Sequence, residues 1–87
     1  MFTVTETAGA RLASTLDRRQ AGNNRALRFV RKRRGWLLSL DRTSSSDVVF
    51  THLGRTVLVL AADAAELLMN RTLDTQESPA GAKLQLR

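Results

Sequence analysis

Six cations, Arg25, Arg28, Arg31, Lys32, Arg33 and Arg34, fall within ten residues that contain no acid. They account for the whole formal net charge of +6, because the other 8 Lys and Arg residues match the 8 Asp and Glu. A cluster of this kind creates a directed field, whereas scattered charge mainly aids solubility. Arg31-Lys32-Arg33-Arg34-Gly35-Trp36 is the segment best suited to chemistry. Its four adjacent cations could grip phosphate oxygens while Trp36 stacks on a base or a sugar. The same string also reads as a solvated turn beside a core tryptophan, or as a docking surface for an acidic protein. The alternation of Trp36 with Leu38 and Leu40 favours the core reading.

The other candidate groups have structural explanations at hand. His52 is the sole histidine, and only Asp47 lies near it in the pattern. A metal site needs several ligands, so a turn-exposed histidine is expected. Asp63 and Glu66 have the spacing of a helix capping box, which accounts for both carboxylates without acid–base catalysis. Ser44, Ser45 and Ser46 have no base beside them and no following oxyanion glycine motif. Gly22 suits a helix end, Gly35 and Gly54 suit turns, and no phosphate-binding loop pattern occurs. The chain contains no cysteine, so these 87 residues hold neither a disulfide nor a thiolate metal site. Enzyme activity and a bound cofactor are not expected.

These side chains must be positioned by short elements. Phe2-Thr3-Val4 reads as a strand, and Thr5 as the N-cap of a helix whose first turn carries Glu6. Ala8, Leu12 and Leu16, with Ala13 beside them, form its apolar stripe, and Gly22-Asn23-Asn24 is expected to end it. The period then changes to two. Leu27, Phe29 and Arg31 alternate with Arg28, Val30 and Lys32, and Trp36 to Asp41 continue the alternation beyond a turn at Arg33-Arg34-Gly35. A polar loop at Thr43–Ser46 precedes a second hairpin, Asp47–Thr51 and Arg55–Leu60, turning at His52-Leu53-Gly54. The Asp63–Glu66 box should open a short helix running to about Asn70, with Leu67 and Leu68 inward. Thr72-Leu73-Asp74 and Lys83–Leu86 are expected as edge strands around a Pro79–Gly81 turn. This order predicts an α+β fold: a small antiparallel or mixed sheet, one N-terminal helix and one short C-terminal helix.

Length bounds the organisation to one domain over residues 1–87. The longest apolar run, Val57–Ala62, is far below the ~20 residues that a bilayer-spanning helix needs. Met1–Glu6 shows no basic region followed by an apolar core, so a signal peptide is not expected and a cytoplasmic location is the default.

The element order and several strings together resemble the HesB/IscA-type family, the A-type carriers of iron–sulfur cluster assembly. Phe2-Thr3-Val4-Thr5-Glu6-Thr7-Ala8 resembles its opening strand and capped helix, and Ala26-Leu27-Arg28-Phe29 resembles its G-L-R-L strand. Asp47-Val48-Val49-Phe50, Gly54 and Val57-Leu58-Val59 resemble D-x-V-F and the strand after it. Asn70-Arg71-Thr72-Leu73-Asp74 resembles G-x-x-L-D, and Gly81-Ala82-Lys83-Leu84 resembles G-F-x-F. The resemblance implies a carrier scaffold that binds iron or clusters through one Cys in the first hairpin and a Cys-x-Cys pair near the C-terminus. Here Arg33-Arg34-Gly35-Trp36 stands at the hairpin position, and Arg87 is reached where the cysteine-bearing tail would begin. The expectation is a degenerate member that has lost cluster and iron ligands and serves as an accessory or interaction protein. The family further implies homo-oligomers, or docking onto a cysteine-bearing paralogue. A small nucleic-acid or polyanion binder using the basic hairpin Arg31–Arg34, with Arg25, Arg28 and Trp36 as further candidate contacts, is the alternative.

Overall fold

A computed structural model describes residues 1–22 and 24–87. The elements are β1 (Thr3–Val4), α1 (Glu6–Arg18), β2 (Arg25–Lys32), β3 (Gly35–Arg42), β4 (Val48–His52), β5 (Arg55–Leu60), α2 (Ala62–Leu67), β6 (Thr72–Gln76) and β7 (Lys83–Leu86). They form a four-stranded sheet of order β3-β2-β5-β4 and a three-stranded sheet of order β1-β6-β7. Both sheets are mixed, with parallel β2–β5 and β1–β6 pairs and antiparallel neighbours elsewhere. The architecture is the expected α+β arrangement with two helices.

Helix α1 begins as its residues dictate. The Thr5 hydroxyl accepts the Ala8 amide at 3.2 Å, and Ala8, Leu12 and Leu16 are fully buried along one stripe. Its end differs from expectation. The left-handed residue is Gln20 (φ 53°), with Ala21 N–H donating to Leu16 C=O and Gln20 N–H to Asp17 C=O. This paired bonding is a Schellman close, made two residues earlier than Gly22. Asn23, part of the expected stop, lies outside the described residues.

Strand β5 runs through the centre, and all four residues from Val57 to Leu60 are buried. An unbroken apolar run suits a strand covered on both faces, and both helices pack against it. Leu12, Leu16, Leu27, Phe29, Leu58, Leu60, Leu68 and Leu73 form one core that includes residues of both sheets. At about 25 cal/mol per Å² of apolar surface removed from water, each such leucine contributes roughly 2 kcal/mol.

Three further expectations are corrected. The Asp63–Glu66 capping box does not form: α2 starts two residues earlier, after Ala61, and Asp63 in its first turn accepts the neighbouring Ala64 amide at 2.9 Å. Leu67 and Leu68 do not both face inward, since Leu68 is fully buried while Leu67 is 55 % exposed. Neighbouring helical positions point about 100° apart, so one face cannot take both. Strand β6 is not an edge strand; it lies between β1 and β7.

Candidate functional site

The first hairpin is held by eight paired residues, from Arg25↔Arg42 to Lys32↔Gly35, leaving Arg33-Arg34 as the two-residue turn. Gly35 follows at φ +125°, a conformation that side chains rarely adopt, so the glycine lets this tip close. Trp36 stands opposite Arg31 in the register. Its ring is half-buried and leans on Phe29, with centroids 5.7 Å apart at 53°. Phe29 in turn meets Phe2 at 6.4 Å, and Phe2 meets Phe50 edge-on at 5.4 Å. Trp36 is thus anchored by the aromatic core on one side while its remaining surface lines the cavities around the tip.

The six-cation cluster does not act as one patch. Arg28 is fully engaged: Nη1 and Nη2 donate to the two Asp47 carboxylate oxygens at 2.8 and 2.7 Å, Nε to Asp41 at 2.9 Å, and Nη2 to the Arg42 carbonyl at 3.1 Å. Arg25 sits at the other end of β2, about 23 Å from the tip at ~3.3 Å per residue. It lines a separate recess of about 290 Å³ with Gly22, Gly54, Arg55 and Thr56. Arg31, Lys32, Arg33 and Arg34 stay exposed, and among the described residues no ion pair engages them.

The Arg28 clamp has a structural cause. Strands β3 and β4 lie at opposite edges of the sheet, so Thr43–Asp47 must cross about 14 Å of intervening strand at ~4.8 Å spacing. Arg28 ties this crossing down at both ends, through Asp41 and the Arg42 carbonyl at the end of β3 and through Asp47 just before β4. Asp47 also accepts the Ser44 amide at 2.8 Å, while the Ser44 and Ser46 hydroxyls lie 3.2 Å apart within the loop. The bidentate guanidinium holds the Asp47 carboxyl below the usual carboxylate range, and its side chain is only 4 % exposed. The Arg42 amide, followed by Arg28, lowers Asp41 in the same direction. The two carboxylates raise Arg28, with Asp47 the stronger cause.

A cation that sequence reasoning missed joins the hairpin. Arg71, in the α2–β6 connection, lines a cavity of about 330 Å³ with Arg31, Lys32, Arg33, Trp36 and Leu67. Nothing local marks it, since 38 residues separate it from Arg33. Its position follows from Asn70, which takes φ 68° and turns the chain out of α2. Arg71 Nε also donates to the Arg87 carbonyl at 3.0 Å. The first-hairpin tip, where the resemblance implies one ligand, therefore lines this cavity, and Arg71 links the cavity to Arg87, the residue that follows β7. Trp36 borders three further recesses, including an adjoining slot of about 310 Å³ with Asp63, Ala64 and Leu67 and an apolar groove of about 290 Å³ with Leu73, Leu84 and Leu86.

His52 is half-buried, not turn-exposed, and packs on Gly9 of α1 so closely that a Cβ there would lie 2.9 Å from Nδ1. Among the described residues, no three His, Cys, Asp or Glu side chains cluster as metal ligands, and no helix is long and apolar enough to cross a membrane.

The chain matches no family model and no curated protein. Among solved structures it is similar to Escherichia coli SufA, described as involved in biosynthesis of iron–sulfur clusters, with a TM-score of 0.77, 16 % identity, and coverage of 99 % of this chain and 83 % of that one. It is also similar to IscA with a bound 2Fe–2S cluster, with a TM-score of 0.63, 20 % identity, and coverage of 100 % of this chain and 84 % of that one. The chain therefore has the HesB/IscA-type fold, the scaffold that its element order and motif strings resemble.

Proposed function

We propose that this chain is a non-catalytic accessory protein on the A-type carrier scaffold, one that holds neither iron nor an iron–sulfur cluster through its own side chains. The observation that carries this reading is the cation-lined cavity at the first hairpin. Where the resemblance implies a thiolate, Arg33, Arg34, Gly35 and Trp36 occupy the tip, and Arg31, Lys32 and Arg71 surround it. A guanidinium has no lone pair to offer a metal, and the surrounding positive charge repels a ferrous ion. The retained surfaces would serve self-association or docking onto a cysteine-bearing paralogue in the cytoplasm. Anaerobic reconstitution with iron and sulfide tests this reading: the protein should show no visible charge-transfer absorbance after desalting. A stable, stoichiometric brown holo-protein would overturn it.

A second reading, a nucleic-acid or polyanion surface, is favoured by one observation. The tip cations are exposed and unpaired among the described residues, and Arg71 adds to them. Each neutralised phosphate contributes about −0.9 to the slope of log K against log salt on duplex DNA, so four contacts predict a slope of about −3.6. Replacing Arg31, Lys32, Arg33 and Arg34 with alanine should remove most of this binding. Absence of any DNA or RNA shift for the wild-type protein at low salt defeats the reading.

A further inference from the structure

The cationic cavity and the slot beside it share Arg31, Trp36 and Leu67 but differ in chemistry. The first, of about 330 Å³, is lined by Arg31, Lys32, Arg33 and Arg71 and by no carboxylate. The second, of about 310 Å³, lies between β2 and α2 and offers apolar surface from Phe29, Val30, Ala64 and Leu67, with Asp63 at its border. Each is at the lower end of the size range of small-molecule sites, and the junction is the half-buried indole of Trp36.

We infer that these adjoining cavities form one binding site for a nucleotide. Its phosphates would lie among Arg31, Lys32, Arg33 and Arg71, and its base or sugar would lie against Trp36 and Leu67. Guanidinium forks bind phosphate oxygens bidentately, which suits a phosphate monoester or anhydride. An indole face suits a planar base, and the Asp63 carboxylate can accept from an amine or a hydroxyl on that part of the ligand. The recess is half open and flanked by two elements far apart in sequence, the hairpin tip and the α2–β6 connection. That geometry favours a compact ligand over an extended strand tracking an open groove. The inference rests on the polyanion reading above and narrows it to a small, two-part ligand.

Trp36 is the only tryptophan, so its emission reports directly on the site. The wild-type protein is titrated at fixed salt with ADP, adenosine, pyrophosphate and a single-stranded oligonucleotide. ADP should change the emission saturably at one per chain, pyrophosphate should compete with it, and adenosine should bind far more weakly. Arg71→Ala and Arg33→Ala should each weaken ADP about tenfold, the loss of one charge-assisted contact, without lowering the melting temperature. Asp63→Asn should weaken ADP while sparing pyrophosphate. Should Arg71→Ala lower the melting temperature, Arg33→Ala in the exposed turn carries the comparison. Saturable oligonucleotide binding with no ADP response would overturn this inference and leave the polyanion reading standing. Absence of both responses would remove both. ADP binding that is indifferent to Arg71→Ala and Arg33→Ala in folded protein would also overturn the assignment.

Discussion

Arg28 and Arg33 are five residues apart in one basic stretch, yet they have opposite fates. Arg33 lies in a two-residue turn where every neighbour faces water. Arg28 lies mid-strand beneath a loop that must cross the sheet, and Asp41 and Asp47 close around it. The pair with Asp47 is bidentate and nearly excluded from solvent, so removing the carboxylate strands a guanidinium with half its partners gone. Asp47→Ala should destabilise the protein by about 2 kcal/mol, measured by urea unfolding near neutral pH. The pH dependence has a definite sign. The folded carboxyl lies below its unfolded value of about 3.9, so its contribution is complete above that pH and disappears as pH falls through the folded value. Asp47→Asn should therefore flatten the acid limb of the stability curve, and an unchanged limb would place the acid sensitivity elsewhere. Asp74 shifts the same way, chiefly because the Thr75 amide and then the Thr5 hydroxyl donate to it, so some acid sensitivity will persist in the variant.

Among the elements, those with local causes were legible. Thr5 and the Ala8–Leu12–Leu16 stripe specify α1, because capping and helical periodicity act within a few residues. The two hairpins follow from alternation broken at Gly35 and Gly54. The second turn places both Leu53 (φ 51°) and Gly54 (φ 79°) in left-handed geometry, which matches the strand twist but leaves Leu53 92 % exposed. Short helix α2 was legible but its start was not, because Asp63-Ala64-Ala65-Glu66 matches a capping pattern, whereas β5 ends at Leu60 and the helix follows directly after Ala61. The packing of α1 on β4 had no sequence signal, since it needs Gly9 beneath His52. Gly9→Ala should destabilise the wild type by about 1 kcal/mol, as the new methyl meets the imidazole and its Cβ at 2.9–3.3 Å. In a His52→Ala background the same substitution should stabilise by up to about 1 kcal/mol, through helix propensity. Thermal melts of the four proteins complete the cycle, and additive effects would show that the contact exerts no steric control.

Across the whole molecule, Asp74 joins what the chain keeps apart. Its Oδ1 accepts the Thr5 hydroxyl at 2.8 Å, locking the start of α1 to β6, and its Oδ2 pairs with Arg87 at 2.8 Å. Together with the Arg71–Arg87 hydrogen bond, this brings the end of β7 beside the first hairpin. Arg71, which donates to the Arg87 carbonyl, also lines the cationic cavity.

Some properties were already determined by the sequence. The absence of thiolates is a matter of composition, and the order of strands and helices follows from local periodicity, capping and turn residues. Those effects operate within about one helical turn or one hairpin. Tertiary structure decided which cations remain available. It clamped Arg28 under the edge-to-edge crossing, left Arg25 at the far end of β2, and brought Arg71 across 38 residues to the tip. Charge pairing depends on distance in space, and the strand order β3-β2-β5-β4, which set those distances, is a property of the packed core and not of any local segment.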